Sequence, residues 1–228
     1  MLQAEVGKAA AAAAALKLVE PGMVLGLGTG TTARYFIDGL ARRVAEGLRL
    51  SVVPTSRASA ELALAAGIPV VSELDRPIDL AVDGADEIDR RLNLIKGRGG
   101  ALFREKMVAD ASTRFVVISD ESKLVDRLGV GVLPVEVTPF LWRQTARRLG
   151  SLGATWDLRG GPENPFKTDN GNLIVDLLFA DGVADPPGLA VQIHGILGVI
   201  EHGLFINMVT AVLVGNAAGE VRVLGSLD

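Results

Sequence analysis

The sequence predicts an α/β protein: a Rossmann-like main domain with a parallel sheet, and a smaller ferredoxin-like α+β subdomain. Through about the first 120 residues, short apolar segments alternate with segments of helical spacing, which is typical of a parallel sheet covered by helices. After about residue 131 the order becomes βαββαβ, the ferredoxin-like pattern. The 228 residues, 49% of them hydrophobic, are enough for one large domain with a smaller companion.

In the main domain, an Ala-rich helix is predicted over 4–19 and ended by Pro21-Gly22. Helical spacing continues after the loop 29–32 to about Ala45, and a further helix begins at Thr55-Ser56. The predicted strands are 24–28, 50–53, 68–71, 78–82 and 114–119, and the predicted helices after the first are 33–45, 55–64 and 101–110.

The second part of the chain supplies the subdomain. Its predicted strands are 133–137, 154–158, 173–179 and 199–205, with helices over 139–149 and 187–197. A hairpin over 210–214 and 220–224 is expected to return to the first sheet. The predicted domains are therefore 1–131 plus 206–228 for the α/β domain, and 132–205 for the subdomain.

Composition excludes several classes of function. The net charge of −4 and the pI near 5.3 argue against a nucleic-acid partner, which needs a basic surface. Cysteine is absent, so disulfides, thiolate zinc sites and a cysteine nucleophile are excluded. No apolar run approaches the roughly 20 residues of a membrane helix, and no signal peptide is evident. We expect a cytoplasmic protein without a membrane partner.

The glycine-rich segment GLGTGTT at 26–32 lies between a predicted strand and a predicted helix. Glycines allow close approach of an anion, and a helix N-terminus offers free N–H groups. A dinucleotide fingerprint is not complete, because Thr31 replaces the third glycine and no acid ends the second strand. A Walker A loop is excluded by the missing lysine. The segment predicts a phosphate or carboxylate site, and a tight turn with a helix cap is the structural alternative.

Three charged residues follow in one stretch of the chain. Asp83 and Asp86 flank Gly84-Ala85 after a buried strand, and Lys96 opens a glycine-rich turn. Close carboxylates can hold different protonation states and so exchange protons with a substrate, and an ammonium can stabilise a developing oxyanion. The alternatives are turn and helix-cap roles for the aspartates, a Mg²⁺ site, and a solvated loop position for Lys96.

Glu105 has the most specific pattern. Its neighbours at i±3 and i±4 on the predicted helix are all apolar: Ala101, Leu102, Val108 and Ala109. A carboxylate on an apolar face is expected to have a raised pKa if it is buried, which suits a general base. A glutamate at the rim that reaches water is the alternative.

Three further charged or titratable residues have less distinctive surroundings in the sequence. Lys123 follows a strand end, where it reaches the same cleft or lies on the surface. His194 and His202 lack metal-ligand spacing, and we interpret them as structural or interface residues.

The ordered set of motifs resembles ribose-5-phosphate isomerase type A over nearly the whole chain. The motifs are GLGTGTT at 26–32, DGADE at 83–87, KGRGGAL at 96–102, REK at 104–106 and SKLV at 122–125, with PVEVTP at 134–139 and TDNGN at 168–172. The resemblance implies interconversion of ribose 5-phosphate and ribulose 5-phosphate in the non-oxidative pentose phosphate pathway. It implies no cofactor and no metal, and a homodimer or homotetramer.

By this resemblance, Glu105 is the base that moves a proton between C1 and C2 through an enediolate. Lys96 stabilises the negative oxygen, Asp83 relays hydroxyl protons, and Asp86 assists ring opening. Lys8 matches a basic position that helps to hold the phosphate. The implied substrate-binding residues are Thr29, Gly30, Thr31, Thr32, Asp83, Gly84, Ala85, Asp86, Lys96, Gly97, Arg98, Gly99 and Lys123.

Arg98 stands where the family often has glycine. A non-glycine residue with positive φ would cost about 1 kcal/mol or more. We therefore predict that Arg98 has an ordinary backbone conformation and contributes mainly its amide to the site.

Two other functions stay open at this point. A coenzyme A transferase has a similar α/β core and uses a glutamate as nucleophile. A non-catalytic sugar-phosphate sensor is the second, although no DNA-binding module is visible in the sequence.

Overall fold

The computed structural model describes residues 2–227, so the predicted domain ends at positions 1 and 228 lie outside the described residues. The helices are α1 (Leu2–Leu16), α2 (Thr31–Ala45), α3 (Arg57–Ala65), α4 (Leu102–Asp110), α5 (Trp142–Gly150) and α6 (Pro186–His194). The strands are β1 (Val24–Leu27), β2 (Ser51–Pro54), β3 (Leu80–Asp83), β4 (Glu87–Ile88), β5 (Leu94–Ile95), β6 (Phe115–Asp120), β7 (Leu133–Val137), β8 (Thr155–Leu158), β9 (Leu173–Leu178), β10 (Val199–His202), β11 (Leu204–Phe205), β12 (Ala211–Gly215) and β13 (Val221–Gly225). A short 3₁₀ turn spans Glu121–Lys123.

The chain forms two compact units. The first unit contains the described residues up to Ala85, then Arg104–Lys123, and the residues from Met208 onward. The second unit contains Asp86–Phe103 and Leu124–Asn207. The predicted division differs from these units at 86–103, 124–131 and 206–207, which belong to the second unit. The paired strands β4 and β5 lie within 86–103, and with two residues each they are too short to show an alternation of apolar and polar residues.

The first unit is built on one six-stranded sheet in the order β13-β12-β6-β3-β1-β2. Its strands are parallel except β13, which pairs antiparallel with β12. The predicted return of the final hairpin to this sheet is therefore confirmed. Strands β1, β3 and β6 are wholly buried, and helices α1 and α2 pack on them through a core that includes Phe36, Leu40 and Ile118.

The second unit holds a four-stranded antiparallel sheet in the order β10-β7-β9-β8. With α5 and α6, the chain order β7-α5-β8-β9-α6-β10 is the predicted ferredoxin-like arrangement. A separate three-stranded sheet in the order β11-β5-β4 completes this unit. Its strand β4 begins at Glu87, the last residue of DGADE, and its strand β5 leads directly into the glycine-rich turn after Ile95.

Two predicted strands differ in the structure. Residues 68–71 form only one bridge, between Val52 and Val70, because Pro69 cannot donate to a ladder and the segment lies at the sheet edge. The predicted strand 199–205 is divided at Gly203 into β10 and β11, which pair with different sheets. A Cβ at Gly203 would overlap the Lys96 carbonyl oxygen, so the chain passes close to the backbone directly after β5 there.

Candidate active site

The Asp83 carboxylate is held at the end of β3 by backbone donors. Its Oδ1 accepts hydrogen bonds from the Thr29 N–H at 3.0 Å and from the Gly84 N–H at 2.7 Å. The residue is 3% exposed. A carboxylate that is bonded in this way by the main chain keeps a fixed orientation, as proton transfer requires.

Gly28 is required by the close approach of Asp83. A Cβ built on Gly28 would overlap the Asp83 carboxylate and would lie 2.6 Å from the Asp83 Cα. The φ of Gly28 is not positive, so its backbone conformation does not require glycine. Glycine is needed at this position because Asp83 occupies the space of a side chain.

We expect Gly28→Ala to destabilise the first unit by about 1–3 kcal/mol, because an atom inserted into a packed site must displace its neighbours. The free energy of unfolding in urea measures the effect. Gly195→Ala is the control, since Gly195 has φ −72° and the nearest atom to its added Cβ is 3.5 Å away. Equal stabilities of the two variants would contradict the packing argument.

Hydroxyl groups line the ends of the neighbouring strands in the first unit. Thr29 Oγ1 lies 2.7 Å from Thr55 Oγ1 and 2.8 Å from Ser56 Oγ. Thr55 and Ser56 are buried, and Ser56 also caps α3. Thr55 and Ser56 directly follow the end of β2, and their hydroxyls hold one another and the Thr29 side chain in place.

The N-terminus of α2 has the features of an anion site. Its N-cap residue, Gly30, has φ 107° and offers no side-chain cap, so the first-turn amides are not occupied by a cap. Lys8 on α1 places its Nζ 3.3 Å from Thr31 Oγ1 and 2.8 Å from Glu5 Oε1. Hydrogen bonds from Lys8 and Tyr35 lower the pKa of the Glu5 carboxyl. An ammonium and a helix N-terminus together favour a bound phosphate.

Three other predicted substrate-binding residues lie in the first unit. Thr32, in the first turn of α2, lies 3.9 Å from the position that a Cβ on Gly84 would take. Ala85 is the last residue of this unit before the chain enters the second unit. Lys123 ends the 3₁₀ turn after β6, and that turn packs near α1.

Glu105 lies in the first turn of α4 and is 6% exposed. It lines a narrow crevice of the first unit together with Asp83, Gly28 and Val108. Val108 and Ala109, on the same helix face, are also buried. The predicted apolar face of Glu105 is therefore present, and it places the carboxylate in the same crevice as Asp83.

The Asp86 carboxylate in the second unit fixes the glycine-rich turn. Its Oδ2 accepts the Arg98 N–H at 2.9 Å. Arg98 is absent from the non-glycine residues with positive φ, so the predicted ordinary backbone conformation is confirmed. Its side chain forms an ion pair with the buried Glu87 at 2.5 Å, a contact that the sequence did not predict.

Lys96 is buried in the second unit, where it is 2% exposed. Its side-chain Nζ lies 5.5 Å from the centre of the Phe205 ring. Its backbone N–H donates to the Gly203 carbonyl at 2.9 Å. Buried lysine is rare in proteins unless it is paired or functional. The alternative of a solvated loop position for Lys96 is therefore wrong.

Gly97 and Gly99 serve the turn differently. Gly97 has φ 102°, and a Cβ there would lie 2.6 Å from the Leu102 Cβ, so glycine is required. Gly99 has no positive φ, and a Cβ there would meet no atom within 4 Å. Lack of space is therefore not what requires glycine at position 99, which is exposed.

The four residues that were predicted to be catalytic belong to different units. Asp83 and Glu105 belong to the first unit, and Asp86 and Lys96 belong to the second. The chain enters the second unit between Ala85 and Asp86.

The three side chains Glu201, His194 and His202 form a cluster in the second unit. His202 Nδ1 accepts the Leu204 N–H at 3.2 Å, so its proton lies on Nε2, which is 3.2 Å from His194 Nδ1. A metal ion on His202 Nε2 would require the proton on Nδ1, where the Leu204 N–H already points. The geometry favours a hydrogen-bonded pair of imidazoles and supports the predicted structural role.

Together, an α/β sheet, buried carboxylates at a strand end and on α4, and an open helix N-terminus define an enzyme for acid–base chemistry on a small anion. A sequence model of ribose 5-phosphate isomerase A (phosphoriboisomerase A) matches residues 51–219. The chain belongs to the ribose-5-phosphate isomerase A family.

Individual members of this family can be aligned with nearly the whole chain. The ribose-5-phosphate isomerase A of Thermomicrobium roseum is 50% identical and is matched over 96% of this chain and 94% of its own length. That of Sinorhizobium medicae is 49% identical, over 93% and 94% respectively. The solved enzyme of Methanocaldococcus jannaschii is 42% identical with a TM-score of 0.90, covering 96% of this chain and 98% of its own.

One solved structure is a D-ribose-5-phosphate isomerase in complex with phospho-erythronic acid. It is 42% identical with a TM-score of 0.90, and it covers 96% of this chain and 97% of its own. The predicted family, and with it the class of aldose–ketose isomerase, is confirmed. This membership favours the isomerase over the coenzyme A transferase and the sugar-phosphate sensor.

Proposed function

We propose that this protein interconverts D-ribose 5-phosphate and D-ribulose 5-phosphate through an enediolate, with Glu105 as the general base. The observation that carries the proposal is the placement of Glu105 in a crevice that Asp83 also lines, in a chain of this family. No other carboxylate of α4 within the described residues is buried.

The reaction consists of two proton transfers at carbon. The Glu105 carboxylate removes the proton from C2 of the open-chain aldose, the electron pair forms a C1–C2 double bond, and O1 becomes an oxyanion. Lys96 stabilises that charge, and Asp83 moves a proton between O2 and O1. Glu105 then returns its proton to C1, and a carbonyl forms at C2. Asp86 assists the earlier opening of the furanose ring.

We assign the phosphate to the N-terminus of α2. Gly30, Thr31 and Thr32 supply amides and hydroxyls, and Lys8 lies beside Thr31. Lys123 adds a second positive charge near α1. Gly97, Arg98 and Gly99 bind the sugar oxygens near the reacting carbons, together with Thr29, Gly84 and Ala85.

The complex of the solved relative with phospho-erythronic acid supports an enediolate. The carboxylate of that acid is planar and shares its negative charge between two oxygens, and the enediolate likewise presents two oxygens in one plane, one of which is negatively charged. A tight complex of this protein with the same acid is therefore expected, because analogues of an intermediate bind more tightly than substrates.

Activity is tested with the EDTA-treated protein and ribose 5-phosphate in deuterium oxide. We expect ketose formation without added metal, and deuterium at C1 of the ribulose 5-phosphate observed by NMR. Exchange with solvent follows from a proton carried by a carboxylate, whereas a direct hydride shift would leave C1 without deuterium. An inactive wild-type protein, or activity that returns only with a divalent metal, would contradict the proposal.

We also propose the homodimer or homotetramer and the cytoplasmic location that the resemblance and composition imply. Light scattering coupled to size-exclusion chromatography measures the first. Among residues 2–227, no helix has both the length and the apolar character that crossing a bilayer requires.

A further inference from the structure

The Arg159 guanidinium holds two carbonyl groups of the glycine-rich turn. Its Nη1 donates to the Gly97 carbonyl and to the Arg98 carbonyl, both at 3.0 Å. Arg159 lies 61 positions beyond Arg98 in the chain, directly after β8. No motif or spacing in the sequence predicts a role for Arg159.

Arg159 is itself fixed by Asp176. Its Nε and Nη2 donate to the two carboxylate oxygens of Asp176 at 2.9 Å and 2.5 Å, and this bidentate pair is mostly buried, with side-chain exposures of 18% and 17%. Asp176 is part of β9, which pairs with β8. The guanidinium also lies 5.8 Å from the Phe166 ring, which packs on Gly100. A sheet therefore supports the guanidinium rigidly.

The orientation of these carbonyls determines the orientation of the next amides. In a trans peptide the C=O and the following N–H point in opposite directions. The peptide between residues 97 and 98 thus directs its carbonyl to Arg159 and its N–H to Asp86 Oδ2. The peptide between residues 98 and 99 directs its carbonyl to Arg159, so the Gly99 N–H points away from it.

The Gly99 N–H is available to a ligand. Within residues 2–227 it donates to no protein acceptor, and Gly99 is exposed. An amide held in this direction is the kind of donor that stabilises an oxyanion. Without the hydrogen bonds from Arg159, a flip of the peptide between residues 98 and 99 would present its carbonyl oxygen to the anion instead.

We propose that Arg159 and Asp176 are positioning residues that hold the Gly99 amide towards an oxygen of the reacting sugar. The inference rests on the proposed isomerase function and adds a pair that acts through the backbone of the turn. Arg159 acts on the carbonyl side and Asp86 on the amide side, so both edges of the turn are fixed.

The test measures kcat, KM and thermal unfolding for Arg159→Ala, Arg159→Lys and Asp176→Asn. We expect kcat to fall about 10–100-fold in Arg159→Ala, because misplacement of a group by about 1 Å has effects of this size, with KM little changed. Lysine lacks the planar guanidinium with its several N–H donors, so Arg159→Lys should recover little of the activity. Asp176→Asn should show a smaller loss, and the double variant Arg159→Ala/Asp176→Asn should lose no more than Arg159→Ala.

Guanidinium ion at concentrations far below those that unfold proteins should partly restore kcat to Arg159→Ala, and it should not do so for Asp176→Asn. The control pair is Arg90 and Asp126, joined at 2.8 Å and more than 80% exposed. Arg90→Met and Asp126→Asn should keep wild-type kcat.

A folded Arg159→Ala variant with wild-type kcat would overturn the inference. So would a loss of activity that is fully explained by the fraction of unfolded protein, or the absence of rescue by guanidinium. These outcomes leave the proposed function intact if the wild-type protein is active and Glu105→Gln is not. An inactive wild type refutes the function itself.

Discussion

Replacing Glu105 with Gln is expected to lower kcat by about 10²–10⁴-fold, the contribution that a positioned general base usually makes. The amide has nearly the same shape as the carboxylate, so the crevice that Glu105 and Asp83 line should keep its shape. Unlike the carboxylate of Glu105, the amide of glutamine cannot accept a proton from carbon. Ketose formation at saturating ribose 5-phosphate measures the loss, and deuterium exchange at C1 should fall in parallel.

Asp110→Asn is the matched control, since Asp110 ends the same helix and is exposed. Glu105→Gln should still bind phospho-erythronic acid, because binding the analogue requires no base. Retained kcat in Glu105→Gln would remove the residue from its proposed role. Lost analogue binding would show that the substitution disturbs the site as a whole.

Replacing Lys96 with Met is expected to reduce kcat by about 10²–10³-fold, as the loss of one oxyanion-stabilising group does. Met keeps an unbranched apolar side chain against Phe205, so packing is largely preserved. The loss should appear in kcat more than in KM, because the negative oxygen exists only after proton removal.

Phospho-erythronic acid separates this effect from that of Glu105. Its carboxylate already carries the negative charge, so Lys96→Met should weaken the binding of the acid, whereas Glu105→Gln should not. Lys167→Met, at an exposed position of the same unit, is the control. If Lys96→Met bound the acid as tightly as the wild type, Lys96 would have no role at the oxyanion.

Local patterns predicted most of the secondary structure. The limits of β7 agree at both ends with the prediction, and α2 and α4 agree within about two residues, because apolar spacing along a helix or strand is a property of neighbouring residues. Residues 68–71 were wrongly predicted as a strand, since Pro69 and a position at the sheet edge outweigh apolar content. The three-stranded sheet was missed because its strands have two residues each.

The same distinction holds at the site. The apolar surroundings of Glu105 could be predicted because they come from its own helix turns. The need for glycine at 28 could not be predicted, because the side chain that fills the space, Asp83, is 55 positions away and arrives with another strand. Arg159 gave no signal for a similar reason, since an arginine after a strand resembles any surface charge.

By itself, the sequence determined the class of fold, the family, and the order of the acidic, basic and glycine-rich segments, because each of these depends on residues close together in the chain. Only the tertiary structure decided which backbone groups stay open and which are held. Sheet pairing places Asp83 against Gly28 and directs Arg159 to the carbonyls of the turn, and such long-range contacts have no local signature.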